Sequence, residues 1–590
     1  MRDNSEALKG LDPAVYGEAL RWLEGDYDLA TKEEVRRLLQ EDPKELTDAF
    51  YTHLSFGTAG LRGLMGVGIN RVNCYTIRAA TQGLANYLKE LYLNRKGLKV
   101  LIGYDCRNGS RQFAEETAKV LIANEIDVLI FSEIRPVPIV SFGCRYKMCQ
   151  AAVMITASHN PAKYNGYKVY WSDGGQVLPP HDRGIILEVE KVREPKDVRC
   201  GSLHDSHISW IETEIDDAYL KATGSLARYK KENQEHGHEL KIIYTSLHGA
   251  GVTMVPKSLR AWGFTSLIEI ESQSKPDGDF PTVRSPNPEE HEALEIGLDR
   301  LQEEGGDLLL ATDPDTDRVG AATLHNGAPY IFNGNEIAVL SLAHLLQAPP
   351  LKEMNSRQEV AVKTIVTTEL FKVIADEYGC ECRSVLTGFK YIGQLIEEWE
   401  NRRDGLAFIF GAEESYGYLM GTHVRDKDGI IACNLLAEAA LHAKLAGKNL
   451  VTRLEELYLQ FGLFRDRLLS LTYPGKEGAE KIRTMMASLR AHPPETIGDH
   501  QIIAVEDYKS GLRLDLPGGK TTPLTLPTSD VLIFWLDEGS KVTIRPSGTE
   551  PKVKIYIGVK GEKSDASIQE QIKECDQKGE RLAKAIQAFL

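Results

Sequence analysis

Three times in the 590 residues an apolar, β-rich run passes straight into a polar loop. The three are MITASHN (154–160), LLATDPDTDR (309–318) and IFGAEES (409–415). Short apolar runs alternating with amphipathic helical stretches are what strands covered on both faces look like. LKVLIGYD (98–105) comes before the helix-like RQFAEETAKVLIAN, and IDVLIF (126–131) and AAVMI (151–155) follow. KIIYTS (241–246), SLIEIE (266–271) and DLLLAT (307–312) make a second set; VAVKTIV (360–366) and LAFIF (406–410) belong to a third. By this pattern alone the expectation is parallel α/β layers. Ligands of such layers bind beyond the carboxyl ends of the strands. Three reactive-looking loops there imply three domains facing one site.

The remainder of the chain reads differently. The N-terminal stretch is helical, with TKEE (31–34) predicted as a capping box before VRRLLQ. Near the other end QIIAVEDY, DVLIFWL, SKVTIR and KVKIYIG read as strands, PGGKTTPLTLPTS (517–529) as a loop, and 567–590 as a final helix. That is a smaller α+β domain. Length sets a prior of about four domains. The composition shifts place them at 1–205, 206–325, 326–458 and 459–590.

Charge narrows the partners. With 70 Lys+Arg against 85 Asp+Glu the net charge is −15, which gives no general footprint for nucleic acid or an anionic membrane. An anionic ligand would need local cations to overcome that field. The nine cysteines are scattered without a CxxC pair, the pattern of reduced thiols. MRDNSEALKG has no apolar signal region, and no apolar run approaches the roughly 18 residues of a membrane span. A cytoplasmic protein is expected; the sequence leaves monomer or dimer open.

Taken singly, the loops leave their alternatives open. Ser158 lacks the GxSxG frame of acyl transfer, and His159, the next residue, is poorly placed as its base. A plain Ser-His-Asn-Pro turn fits as well. Asp313, Asp315 and Asp317 alternate in an extended loop and can converge on one hard cation. An EF-hand fails, because Arg318 stands where its glycine belongs and Leu324 where its last glutamate belongs. A solvated acidic turn is the bland alternative. RPSGTEPKVK (545–554) offers the Arg545 fork, the Ser547 and Thr549 hydroxyls and close approach at Gly548: parts of an anion site, or a hairpin turn. FGTAGLRG (56–63) carries Arg62 but is not a nucleotide-binding loop. Glu413 and Glu414 beside Ser415 can accept from sugar hydroxyls. Lys168 in NGYK and Lys390 in LTGFKYIG can bind phosphate, serve as acid or base, or simply lie on the surface.

Together and in order, TASHNP, NGYK, DPDTDR, TGFK, GAEES and RPSGTEPK resemble the motifs of the α-D-phosphohexomutase superfamily. FGTAGLRG, HVRDKDG (423–429) and PDGDFPTVRSPNPEE (276–290) strengthen the likeness, which covers roughly residues 40 to 590. The branch resembled is that of bacterial phosphoglucomutases similar to the eukaryotic phosphopentomutase and glucose-1,6-bisphosphate synthase group. The resemblance implies four domains around a central cleft: three similar α/β domains with mixed sheets, and a smaller C-terminal α+β domain. The mixed sheets replace the all-parallel expectation.

The resemblance also implies roles. Ser158 is carried as phosphoserine, and Asp313, Asp315 and Asp317 hold Mg²⁺ with one of its oxygens. Arg62, Lys168, Arg318 and Lys390 line the reacting phosphoryl group, with Lys168 or Lys390 as the base. Glu413 and Ser415 contact the sugar. Arg545, Ser547, Gly548 and Thr549 bind the substrate's phosphate, and His159, Thr387 and Gly388 join the substrate-binding set. Sugar phosphates are the expected partners. The implied reaction interconverts glucose 1-phosphate and glucose 6-phosphate through a glucose 1,6-bisphosphate intermediate, which also serves as activator. Phosphomannomutase, phosphopentomutase and bisphosphate synthase activities are the alternatives within the class. A serine hydrolase and a non-catalytic binder of metal and sugar are the alternatives outside it.

Overall fold

The computed structural model describes residues 11–54, 56–57, 60–93, 95–349, 357–402, 405–473, 475–547, 552–562 and 564–589. The chain forms two compact units. The first comprises 1–329, 393–401 and 417–438; the second comprises 330–392, 402–416 and 439–590.

The first unit opens with helices Pro13–Glu24, Leu29–Glu41 and Pro43–Phe50, packed through Val15, Ala19, Trp22, Val35, Leu38, Leu46 and Phe50. The TKEE capping box is corrected here. The helix starts earlier, with Asp28 as its cap; Asp28 accepts from the Thr31 N–H at 2.9 Å and from the Thr31 hydroxyl at 2.7 Å. Glu34 then pairs with Arg37 instead of reaching back.

Next comes a seven-stranded sheet. Lys99–Tyr104 lies parallel to Asp127–Phe131 on one side and to Ala151–Ile155 on the other. Tyr164–Trp171 then runs antiparallel to Ala151–Ile155, and Gly60–Leu64 antiparallel to Tyr164–Trp171. The sheet is therefore mixed, not all parallel. The reason is loop length: 156–163 can close a hairpin, whereas a parallel return needs a crossover of about a dozen residues. Helices Cys74–Leu91 and Ser110–Ala123 cover it, burying Leu84, Leu88, Phe113 and Leu121 against Val100, Ile102, Val128 and Val153.

A second mixed sheet repeats the arrangement. Leu308–Thr312 is parallel to Ile242–Thr245, and Val319–His325 returns antiparallel across the short loop 313–318. Both of these loops are thus turns between a buried strand and its returning neighbour.

In the second unit Gln358–Thr364 lies parallel to both Glu381–Val385 and Leu406–Glu413. An antiparallel sheet contains Phe464–Thr472, Lys552–Lys560, Lys541–Pro546, Leu532–Leu536 and His500–Asp507 in that spatial order. Helix Ile568–Gln587, capped by Ser567, packs on it. Part of the expected loop 517–529 is an edge strand, Lys520–Pro523, paired with Leu512–Asp515. Among the described residues no single helix is long and apolar enough to cross a membrane.

Candidate active site

Ser158 begins the site. It follows strand Ala151–Ile155 and holds a left-handed backbone, φ 53°, which a non-glycine residue adopts only where its surroundings enforce it. Its N–H donates to Thr156 Oγ1 at 2.8 Å, and Thr156 Oγ1 in turn donates to Asp105 Oδ2 at 2.6 Å. The Ser158 hydroxyl donates to Asp313 Oδ2 at 2.8 Å. His159 Nδ1 lies 3.2 Å from the same hydroxyl, so being the next residue does not keep it out of reach. The single hydroxyl hydrogen has its shorter acceptor in Asp313, however. Burial, with Arg318 and Arg62 nearby, holds the His159 pKa well below its usual value, so the ring is neutral.

The three aspartates are buried, and one oxygen from each lies within 4.8 Å of the others. Thr316 between them is also left-handed, φ 58°. The Asp317 and Arg318 N–H groups both donate to Asp313 Oδ1, at 3.1 and 3.0 Å. Lys168 Nζ donates to Asp315 Oδ2 at 2.7 Å and to Asp317 Oδ2 at 3.3 Å. Burial alone would lower the Lys168 pKa, but Asp315 and Asp317 outweigh it and keep the ammonium. For Asp317 burial is likewise overcome, by Lys427, Lys168 and Arg318, and the carboxylate stays ionised. Asp313 goes the other way: burial and the charges of Asp315 and Asp317 push its pKa well up.

The buried Asp315 Oδ1 and Asp317 Oδ1 accept no hydrogen bond. Buried carboxylate oxygens left bare beside an over-concentration of negative charge fit a hard, oxygen-loving dication. These residues suit such a metal.

The predicted cations of this unit gather round the loop. Arg62 Nη1 donates to Asn160 Oδ1 at 3.2 Å, beside the serine. Arg318 pairs with Glu289. Two groups without an assigned role also belong here. Lys427, from HVRDKDG, is buried with Nζ 3.3 Å from Asp317 Oδ2 and 3.3 Å from Asp426 Oδ1. Arg107, from GYDCR, lies beneath the serine loop. Neither HVRDKDG nor the residues that follow LKVLIGYD carry a spacing that ties them to Asp317 or Ser158.

The second unit carries the other predicted residues. Glu413, at the end of strand Leu406–Glu413, accepts the Gly388 N–H at 2.8 Å through Oε1. Gly388 has φ +125°, a conformation that needs glycine. This puts the TGFK turn against the E-x-S loop. Lys390 Nζ lies 5.2 Å from the Tyr391 ring centroid. The Thr387 hydroxyl is buried with no hydrogen-bond partner. Glu414 Oε2 accepts from Thr364 Oγ1 at 3.3 Å, and Ser415 is part-buried beside it. Burial and the charges of Glu414 and Glu413 raise the Tyr556 pKa, while Arg545 lowers it. Arg545 and the two glutamates therefore share one neighbourhood around Tyr556. Ser547 N–H donates to Lys552 O at 2.7 Å. Gly548 and Thr549 lie outside the described residues.

Four domain models of one family match the chain in succession. Phosphoglucomutase/phosphomannomutase alpha/beta/alpha domain I matches residues 53–196, domain II 217–326 and domain III 333–461, and the C-terminal domain matches 490–574. A phosphoglucomutase of Staphylococcus aureus (strain bovine RF122 / ET3-1) is 37% identical over 525 residues, covering 88% of this chain and 92% of its own. Among solved structures, the Paramecium phosphoglucomutase pp63/parafusin in an open form has TM-score 0.68 at 17% identity, covering 91% of this chain and 96% of its own. A phosphoglucomutase/phosphomannomutase family protein of Burkholderia thailandensis has TM-score 0.61 at 17% identity, covering 88% and 96%. At that identity the two structures speak for the fold.

Proposed function

The chain belongs to the phosphoglucomutase/phosphomannomutase family, a family of intramolecular phosphotransferases, and from that premise we propose that it interconverts glucose 1-phosphate and glucose 6-phosphate. The observation that carries the reading is Ser158 Oγ bonded at 2.8 Å to Asp313 inside the aspartate cluster. A serine in an acyl-transfer site faces a base, not three carboxylates.

Ser158 carries the phosphoryl group between turnovers, bringing about two negative charges into a site already crowded with them. Asp313, Asp315 and Asp317 would hold Mg²⁺, which when bound supplies charge neutralisation and polarises the phosphoryl oxygens. Arg62, Arg318 and the Lys168 ammonium bind the oxygens of the group in transit. The substrate's own phosphate docks on Arg545 with Ser547, Gly548 and Thr549. His159, Thr387 and Gly388 complete its contacts, and Glu413 and Ser415 grip the sugar hydroxyls.

In the first transfer the Ser158 Oγ–P bond breaks as the sugar oxygen bonds to phosphorus; the sugar hydroxyl proton passes to a lysine in its neutral form, and the departing Ser158 Oγ takes a proton from the other lysine in its ammonium form. Lys390 can be one acceptor only as the neutral amine. Lys168 can be the other only after its ion pairs with Asp315 and Asp317 loosen and it gives up a proton. The resulting glucose 1,6-bisphosphate turns over. Its other phosphate is then returned to Ser158 Oγ, which leaves the isomerised monophosphate. The same bisphosphate primes enzyme that has lost its phosphoryl group. The bisphosphate has to be kept from water while it turns over.

The test is a kcat/KM panel over glucose, mannose and pentose phosphates with catalytic bisphosphate present, alongside Ser158→Ala. Glucose phosphate should lead, and Ser158→Ala should lose at least about a thousandfold in kcat. Near-wild-type turnover by Ser158→Ala would overturn the phosphoserine mechanism. A pentose phosphate preference above about tenfold, or net bisphosphate accumulation, would move the protein to the pentomutase or bisphosphate synthase reading.

A further inference from the structure

Arg107 makes no contact with the aspartate cluster's free oxygens, yet its hydrogen bonds to backbone converge on one short stretch of chain. Its guanidinium donates to the carbonyls of Ser158 at 2.5 Å, Asn160, Pro161 at 3.0 Å and Tyr164 at 3.0 Å. The side chain has no exposed surface. Asp105 Oδ2 lies 3.4 Å from its Nε and supplies the counter-charge. On the other side the Phe280 ring lies under it, 5.0 Å to the centroid. A buried arginine is costly, and a core position asks only for apolar volume. Here the charge is held in place so that its donors can collect four carbonyls of one loop, among them that of the buried Ser158.

Those carbonyls belong to the loop that carries the nucleophile. Turning the Ser158 carbonyl down onto Arg107 fixes the peptide that follows a residue with φ 53°. The Ser158 N–H is fixed independently by Thr156 Oγ1, itself held by Asp105. With both ends set, Oγ points to Asp313. The segment PDGDFPTVRSPNPEE closes the loop from the far side: Phe280 seats Arg107, and Ser285 Oγ donates to His159 O at 3.0 Å. Asn108, next to Arg107, donates to Asp279 Oδ1 at 2.6 Å and ties the two segments together. A planar five-donor fork can serve four diverging carbonyls; a lysine ammonium, with three donors at one point, cannot.

We propose that Arg107, seated on Phe280, is a positioning residue that holds the Ser158 loop in the left-handed conformation from which Oγ gives and takes the phosphoryl group. The proposal rests on the mutase reading above for its kinetic consequence, and on geometry alone for its structural one.

The experiment compares wild type, Arg107→Ala, Arg107→Lys and Phe280→Leu. It measures kcat and KM for glucose 1-phosphate with saturating bisphosphate, Ser158 phosphorylation by intact mass, and amide hydrogen exchange over residues 154–171. Arg107→Ala should lose about a hundredfold or more in kcat with KM changed less than about threefold, because the monophosphate docks elsewhere. Arg107→Lys should recover little of it, and added guanidinium ion should partly restore Arg107→Ala. Phe280→Leu should lose several-fold in kcat, and all variants should exchange faster than wild type over 154–171.

Should Arg107→Ala fail to fold, Arg107→Lys and Phe280→Leu carry the same test. Wild-type kcat in either folded arginine variant, or exchange over 154–171 unchanged from wild type, would overturn the proposal. Wild-type protein without turnover would instead count against the mutase reading, and the exchange pattern would still decide for or against the clamp.

Discussion

Glu369 carries one carboxylate between two buried ammonium groups. Its Oε1 lies 3.0 Å from Lys363 Nζ and 2.6 Å from Lys541 Nζ, and both lysines are buried. Burial alone would raise the Glu369 pKa, but Lys363 and Lys541 outweigh it and bring it down to about 2 from 4.5. A depressed folded pKa gives stability that is present above the unfolded value and lost as pH falls towards the folded one. The expected loss therefore runs from about pH 4.5 down to about pH 2 and amounts to at most about 3 kcal/mol. Glu369→Gln should lower the melting temperature at pH 7, since it strands two buried cations, at a cost of about 3–5 kcal/mol. It should also flatten the decline in melting temperature below pH 5. A variant as acid-sensitive as wild type in calorimetry would rule this role out. Nothing in VKTIVTTEL or SKVTIR announces such a trio. Neither strand pattern assigns its lysine a partner, and only the packing of one strand's end on another's makes them neighbours.

At the scale of elements, what the sequence hides is the returning strand. AAVMI and DLLLAT are legible because both faces are apolar and the runs end in loop-forming residues. NGYKVYW is not, because Lys168 and Asn165 break its apolar character, although both are buried in the sheet interior. The polar residues are there because the strand's end is part of the site. A similar constraint acts in the second unit, where helix Gly334–Gln347 begins against the Glu413–Ser415 loop. A Cβ on Gly334 would lie 1.9 Å from the Glu414 carbonyl oxygen and 3.1 Å from Tyr416 N. Tyr416, left-handed at φ 64°, has no slack to offer. Gly334→Ala should therefore push the Glu413–Ser415 loop out of place. An ångström-scale displacement there should cost about a hundredfold in kcat/KM. Steady-state kinetics on the folded variant within about threefold of wild type would show that the loop does not depend on this approach.

On the scale of the whole chain, Ser158 and Asp313 meet across 155 positions of sequence, and that meeting is what no local pattern could state. TASHNP and DPDTDR named their own residue types correctly. Their partnership could be inferred beforehand only from resemblance, because register and loop length decide where each strand's carboxyl end arrives. The aspartate loop is braced by segments far apart in sequence. The Val137 N–H donates to Asp315 O at 2.9 Å, the Ala250 N–H to Pro314 O at 2.8 Å and the Gly429 N–H to Thr316 O at 3.0 Å. These bonds brace the loop's backbone from the surrounding chain, so the scaffold should survive metal removal although the chemistry should not. Chelation with EDTA should abolish turnover, and added Mg²⁺ should restore it. A ligand present at about a hundred times its Kd stabilises by only about 2.7 kcal/mol, so the melting temperature should fall by no more than about 4 °C. Calorimetry before and after chelation decides the matter. A fall beyond about 10 °C would mean that the metal, and not the backbone network, holds the three aspartates in register. Retained turnover in EDTA would mean that the cluster serves some purpose other than holding a metal.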